Sequence, residues 1–199
     1  MAIVCNLVND AQRLARALRS VTNVSVDLFH ARFRFIDRQA REQEVMAQYG
    51  RDAEPRDGRI LVATQVVEQS LDLDFDWLIT QICPVDLLFQ RMGRLHRHDR
   101  PRPPGFRGPK CTIIVAPDTD YGLHKIVYGN TRVLWRTHRL LDEVTEIAFP
   151  AAYRTWIERV YERDDWIDEP ENIALEYDRF HIEEKAKFDQ AQIIANDDM

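Results

Sequence analysis

The sequence predicts an α/β fold, in which a doubly wound, mainly parallel sheet is followed by a helical extension. Up to residue 118, short stretches that are apolar on both faces alternate with helical segments, the pattern of a parallel sheet covered on both sides by helices. Beyond that point the helical spacing continues, with no further strand pattern. We therefore expect one domain at residues 1–118, and an acidic helical linker or start of an accessory domain at residues 119–199.

Five strands and three helices are expected before residue 118. The β-branched and apolar runs predict strands at 2–8, 23–30, 60–64, 76–82 and 110–117. A helix at 9–20 has Asn9 or Asp10 as a candidate cap, a second at 35–50 ends at a glycine, and a third at 84–95 begins at a proline. The stretch 100–109, with four prolines and two glycines, is expected to be a loop.

Composition limits the class of protein. With 45% apolar and 30% charged residues, the chain is typical of soluble globular proteins. Its apolar runs are too short to cross a bilayer, and we see no secretory signal pattern, so we expect no membrane partner. The three cysteines are far apart and outside any CxxC spacing, which suggests buried free thiols in a reducing cytoplasm.

Charge is distributed unevenly along a chain whose net charge is −6. Residues 91–110 contain seven Lys or Arg and one acid, whereas residues 142–199 contain 17 acids and six bases. A basic segment within an acidic chain indicates a local anion site. Arginine suits such a site because its planar guanidinium binds phosphate oxygens in pairs and stays charged at any working pH.

Two segments are expected at the carboxyl edge of the sheet, where ligands of open α/β sheets bind. One is "ATQVVEQSLDLDFD" at 63–76, and the other is the arginine-containing helix with the loop after it. On that helix Arg94 and Arg97 would be near neighbours, and Gly93 would lower helix stability by roughly 1 kcal/mol relative to alanine. Taken singly, the first segment could equally be a solvated loop with capping side chains, and the second could be an exposed basic helix surface.

Together the two segments resemble motifs V and VI of a superfamily 2 helicase. "LFQRMGRLHRH" fits the pattern Q-x-x-G-R-x-x-R, and "ILVATQVVEQSLDLDFD" is similar in particular to the CRISPR-associated helicase-nuclease of type I systems. "LFHARFRFIDRQAREQEV" and "VLWRT" resemble two further stretches of that family. The resemblance covers most of residues 1–140, and it implies the RecA-like fold of the second helicase domain.

The resemblance also implies a role for individual residues. Arg94 and Arg97 would reach the γ-phosphate of ATP, with Gln90 positioning that phosphate or the attacking water. Asp72 would contact the ribose. Gly93 and Gln65 would lie beside the nucleotide, and Thr64 and Gln65 would couple the nucleotide site to DNA. The track of single-stranded DNA would include His30, Arg32 and Arg38.

Other parts that the family needs are absent from these residues. No phosphate loop G-x-x-x-x-G-K-[ST] and no D-E-x-H box occurs, so Mg²⁺ would be held by a first RecA-like domain outside this chain. The family's nuclease domain is missing too. We expect a truncated or split helicase half that is inactive in ATP hydrolysis alone. Its partners would be single-stranded DNA, the missing domains and a CRISPR RNA-guided target-recognition complex.

Three alternatives remain open at the level of sequence. The chain could be a docking module that does not hydrolyse ATP and binds through its acidic helical tail at 142–199. It could belong to another superfamily 2 translocase, such as a restriction or remodelling motor. His98 and Asp99 could be two ligands of a metal, but they lack the further histidines that such a site needs, so we expect no metal here.

Overall fold

A computed structural model describes residues 1–54, 58–68, 71–116 and 120–197 of the chain. The chain divides into two compact units, Met1–Ala116 and Pro117–Met199, and each is described by itself. Gln69 and Ser70, which belong to the segment that resembles motif V, lie outside the described residues.

The first unit contains a five-stranded sheet in the order β2-β3-β1-β4-β5. All four strand pairings are parallel, so every strand ends at the same edge. The doubly wound, parallel sheet predicted from the sequence is therefore confirmed. The strands are β1 at Ala2–Val4, β2 at Ser25–Phe29, β3 at Arg59–Ala63, β4 at Trp77–Gln81 and β5 at Lys110–Ile114.

Helices connect these strands. They are α1 at Val8–Val21, α2 at Phe35–Tyr49 and α3 at Val85–Met92, with a short 3-10 helix at Gln65–Glu68 between β3 and β4. The expected cap at Asn9 or Asp10 is wrong: α1 begins earlier, with Leu7 in the N-cap position and no side-chain cap. Asp10 instead lies in the first turn, where a carboxylate interacts favourably with the helix dipole.

Alternate residues of the strands pack into cores on opposite faces of the sheet. Leu61 and Ala63 of β3 join a cluster with Val45 of α2, while Val62 joins a second cluster with Ala11 and Ala15 of α1. Each fully buried Leu or Val side chain contributes about 1.5–3 kcal/mol. These two cores fix the sheet, and the loops at its carboxyl edge are built on it.

In the described residues of the second unit, 120–197, helices are the regular secondary structure, as the sequence predicted. Its helices are α4 at His124–Tyr128, α5 at Thr131–Asp142, α6 at Ala151–Tyr161 and α7 at Glu171–Asp197. Asn130 caps α5 by accepting a hydrogen bond from Val133 N at 3.2 Å. Apolar side chains of three helices are buried within the unit: Val133, Leu134 and Leu140 of α5, Val160 of α6 and Ile173 of α7.

A buried ion pair links α5 to the segment that precedes α7. Arg136 has no exposed surface, and its Nη2 lies 2.7 Å from Oε2 of Glu169, which is equally buried. Arg136 also donates to the carbonyl oxygens of Glu162 at 2.7 Å and Asp164 at 2.6 Å. Arg132, one turn earlier, pairs with Glu169 as well. The connection between α6 and α7 is thus held by guanidinium groups of α5.

Candidate functional site

The loops after four parallel strands meet at the carboxyl edge of the sheet. Thr64, which follows β3, donates its N–H to Phe29 O at the end of β2, 3.2 Å away. Gln65 Nε2 donates to Asn6 O after β1 at 2.8 Å. Helix α3 begins after β4 at the same edge. The fold therefore brings together the two segments that the sequence identified as candidates.

The predicted helix 84–95 is too long, and this changes where the arginines lie. Helix α3 ends at Met92 with Gly93 as its C-cap, so Arg94 and Arg97 follow the helix and do not share a helical face. The chain pairs instead with the segment before β4: Phe75 N donates to Arg94 O at 2.8 Å, and His96 N donates to Phe75 O at 3.1 Å. This backbone pairing competes with continuation of the helix, and His96 adopts a φ of 44°.

Arg94 lies against the 3-10 helix that follows β3. Its side chain donates from Nε to Val67 O at 3.1 Å and from Nη2 to Glu68 O at 3.3 Å. The residue is 8% exposed, and burial lowers the pKa of its guanidinium below the ordinary value. Carbonyl oxygens of the motif V segment therefore set the position of Arg94.

Arg97 and Asp72 form a half-exposed ion pair. Arg97 Nε donates to Asp72 Oδ1 at 2.6 Å, and the two side chains are 41% and 39% exposed. His98 Nε2 lies 3.0 Å from the same oxygen. Desolvation opposes ionisation of Asp72, but the hydrogen bonds and charges of Arg97 and His98 outweigh it and lower its pKa. Asp72 is therefore ionised at neutral pH, and both side chains are accessible from solvent.

Two further arginines are bound to acids of the motif V segment. Arg100 Nε lies 3.0 Å from Asp74 Oδ2, and that carboxylate is fully buried. Arg102 contacts Asp74 at 3.0 Å and Asp76 at 2.9 Å. The Arg100 side chain is 13% exposed. These cations thus neutralise acids of their own domain and leave a smaller anion site than the charge count suggested.

The other residues expected beside the nucleotide occupy distinct positions. Gln90 is exposed on α3, next to the end of the helix. Gly93 has an ordinary helical φ of −63°, so no unusual backbone angle requires glycine there. A Cβ at this position would lie 3.3 Å from Phe89 O, which is a tight contact, and the Gly93 carbonyl accepts from Arg97 Nη1 at 3.4 Å.

The three residues expected on the DNA track, and Thr64, which is expected to couple the nucleotide site to DNA, differ in exposure. His30 and Thr64 are only 3% and 1% exposed. The His30 ring stacks on Phe33 with 4.2 Å between centroids, and burial lowers its pKa. Arg32 is exposed and donates to Asn9 Oδ1 at 3.3 Å, whereas Arg38 pairs with Glu42 along α2 at 3.0 Å. Arg32 is therefore better placed than buried His30 to meet a phosphate directly.

Within the described ranges, no cluster of three or more His, Cys, Asp or Glu is placed to hold a metal ion. His98 contacts Asp72 and so belongs to the arginine network. No helix in the same ranges is long and apolar enough to span a membrane.

Comparison with known proteins connects this geometry to a family. The sequence profile described as CRISPR-associated nuclease/helicase Cas3, C-terminal, matches residues 1–100. The CRISPR-associated endonuclease/helicase Cas3 of Escherichia coli K12 is 48% identical over 192 residues, which are 94% of this chain and 22% of the relative. The Thermus thermophilus protein of the same description is 44% identical over 74% of this chain and 16% of its own length. The chain thus spans about a fifth of the length of these relatives.

Solved structures agree with this assignment. The crystal structure of T. fusca Cas3 superposes with a TM-score of 0.81 at 29% identity, over 94% of this chain and 22% of that one. Structures of the same protein with AMPPNP, ADP and ATP match as well. A CRISPR RNA-guided surveillance complex, pre-nicking, matches with a TM-score of 0.76 at 29% identity, over 93% of this chain and 24% of that one.

The parallel sheet, with its arginine segment beside the loop after β3, defines a RecA-like domain of the superfamily 2 helicase class. The expected RecA-like fold is confirmed. Within that class, the chain belongs to the family of the C-terminal region of the CRISPR-associated nuclease/helicase Cas3.

Proposed function

We propose that this region is the second RecA-like half of an ATP-dependent DNA helicase or translocase in a type I CRISPR antiviral system. The observation that carries the proposal is the arrangement of Arg94, Arg97 and Asp72. Motif V and motif VI meet at one edge of the sheet, and one guanidinium, that of Arg97, is half exposed there. T. fusca Cas3, which shares the fold, has been solved with ATP.

The donor set fits a nucleotide triphosphate. Arg97 already binds a carboxylate oxygen at 2.6 Å, and a phosphate oxygen is an anionic acceptor of the same kind. Guanidinium groups at this edge would neutralise the charge that develops on a transferring γ-phosphoryl group. Exposed Gln90 would position the phosphate or the attacking water. Mg²⁺ would be held by residues of the first RecA-like half, outside this chain.

Asp72 and Gln65 extend the proposal to the nucleoside and to DNA. The Asp72 carboxylate, ionised because its pKa is lowered, would accept a hydrogen bond from a ribose hydroxyl. Gln65 is hydrogen-bonded to the loop after β1 and follows Thr64 directly. A shift of this segment on DNA binding would therefore reach the 3-10 helix against which Arg94 lies.

For the DNA track, exposed Arg32 would contact a phosphate, and Arg38 would add positive charge from α2. Phosphate contacts position a strand without reading its sequence. His30 and Thr64, which are buried, would support the loops that present those contacts. As a partner we propose a CRISPR RNA-guided complex, because a relative's structure is described as such a surveillance complex.

Separating the two halves tests the proposal. The 199-residue chain is expected to show no DNA-stimulated ATP hydrolysis when purified alone. A longer protein that joins it to a first RecA-like domain is expected to hydrolyse ATP in the presence of single-stranded DNA. Substantial turnover by the isolated chain, measured by phosphate release, would contradict the proposed division of the motor.

A further inference from the structure

The strand order of the sheet defines a topological switch point, where open α/β sheets normally have a ligand-binding crevice. Helix α1 leads from β1 toward β2, whereas α3 leads from the neighbouring β4 to β5 on the other side. Ligands of open α/β sheets bind where adjacent connections diverge in this way, outside the carboxyl ends of the strands. In this domain the switch point lies between β1 and β4.

The guanidinium of Arg91 occupies that crevice. Arg91 reaches back from α3 and has no exposed surface. Its Nη1 donates to Thr80 Oγ1 of β4 at 2.7 Å and to Asn6 Oδ1 after β1 at 3.2 Å, and it also lies 3.2 Å from Gln81 O. The position open to a ligand in other doubly wound sheets is thus filled by a side chain of this domain.

The same guanidinium also holds the 3-10 helix. Its Nε and Nη2 both lie 2.7 Å from Oε1 of Glu68, the last residue of that helix. The carbonyl oxygens of Val67 and Glu68 accept in turn from Arg94, whose own N–H donates to Arg91 O at 3.0 Å. A continuous set of hydrogen bonds therefore connects both strands at the crevice to the side chain of Arg94.

We propose that Arg91 is a positioning residue: it closes the switch-point crevice to ligands and, through Glu68, fixes the 3-10 helix that sets the position of Arg94. The catalytic consequence rests on the proposed function of Arg94. Lysine could not replace Arg91, because one ammonium group cannot reach Glu68, Asn6 and Thr80 in the planar geometry of a guanidinium.

A purely structural role for the ion pair makes a different prediction. Buried ion pairs can often be replaced by apolar side chains of similar volume without loss of stability. The double variant Arg91→Met with Glu68→Leu should then fold and work normally. If Arg91 positions Arg94, the same double variant should fold but hydrolyse ATP slowly, since the 3-10 helix is no longer fixed to α3.

The test uses two proteins. In the 199-residue chain, hydrogen exchange of Arg91→Lys and of the double variant is expected to accelerate about tenfold at residues 65–68 and to stay unchanged in β2. In the longer protein with both RecA-like halves, the same variants are expected to lower kcat about tenfold or more, with KM for ATP within about twofold of the wild type. Exposed Arg107→Ala serves as the matched control, and Arg94→Ala as the reference.

The outcomes separate this inference from the proposed function. Slow turnover in Arg94→Ala together with wild-type turnover in the folded double variant would overturn the positioning role alone. Unchanged exchange at residues 65–68 would overturn it as well. Wild-type turnover in Arg94→Ala would overturn the assignment of Arg94, and the catalytic part of the inference would fall with it.

Discussion

Arg97 donates from Nε to Asp72 Oδ1 at 2.6 Å, so two residues proposed to bind different parts of one nucleotide are hydrogen-bonded to each other. The contact joins motif VI to motif V, and both side chains are half exposed. Each is thus held by the other at the carboxyl edge of the sheet, and each can exchange its partner for a nucleotide group without leaving a buried charge unpaired.

The Arg97–Asp72 pair should be visible in the acid titration of the chain. Desolvation raises the pKa of Asp72, but the bonds from Arg97 and His98 bring it below the ordinary 3.8. At a pH between the folded and unfolded pKa values of Asp72, the unfolded chain binds more protons at this carboxyl. The free energy of unfolding therefore falls as the pH falls through that window. The change Arg97→Ala is expected to raise the carboxyl pKa, measured by NMR titration, and to weaken this pH dependence. An unchanged Asp72 titration would contradict the pair.

Two arginines of α5 offer a matched comparison for the second unit. Arg136 and Glu169 are buried together, and removing one partner of such a pair costs about 3–5 kcal/mol. Arg139 and Asp168 form an exposed pair, 44% and 54% exposed, which should contribute about 0–1 kcal/mol. The free energies of unfolding of Arg136→Ala and Arg139→Ala are to be measured in urea, using the fluorescence of Trp135 and Trp166. Equal losses in the two variants would argue against the buried network.

The salt dependence of DNA binding tests the proposed track. In the longer protein, Arg32→Ala is expected to weaken binding to single-stranded DNA and to reduce the slope of log K against log salt by about 0.7, the value for one phosphate contact. Fluorescence anisotropy with a labelled oligonucleotide measures both quantities. Arg154→Ala, which removes an exposed arginine of α6, is the control and should leave the slope unchanged. An equal change in both variants would remove Arg32 from the track.

The sheet and its two candidate loops could be predicted from the sequence because strand periodicity and the Q-x-x-G-R-x-x-R pattern are local signals. The end of α3 could not, since it depends on Phe75 pairing with the backbone around Leu95. That contact links residues 20 positions apart in sequence. Helix propensity depends on neighbouring residues only, so it cannot predict where this contact ends the helix.

Counted alone, the charge of the basic segment at 91–110 indicates an anion site. The acids that neutralise it lie in the preceding motif: Glu68 binds Arg91, Asp72 binds Arg97, and Asp74 and Asp76 bind Arg100 and Arg102. A signal for this was present, since the sequence has four acids at 68–76 and five arginines at 91–102. Recognising it required knowledge that the two segments are adjacent in space.

ATP hydrolysis by the longer protein carrying Arg94→Ala or Arg97→Ala tests the central claim most directly. Each variant is expected to lower kcat by about 10²-fold or more, as for loss of a group that stabilises transition-state charge, while most single-stranded DNA binding is retained. Arg107→Ala, an exposed arginine of the loop before β5, should hydrolyse ATP at the wild-type rate. Wild-type turnover in both Arg94→Ala and Arg97→Ala would contradict the account.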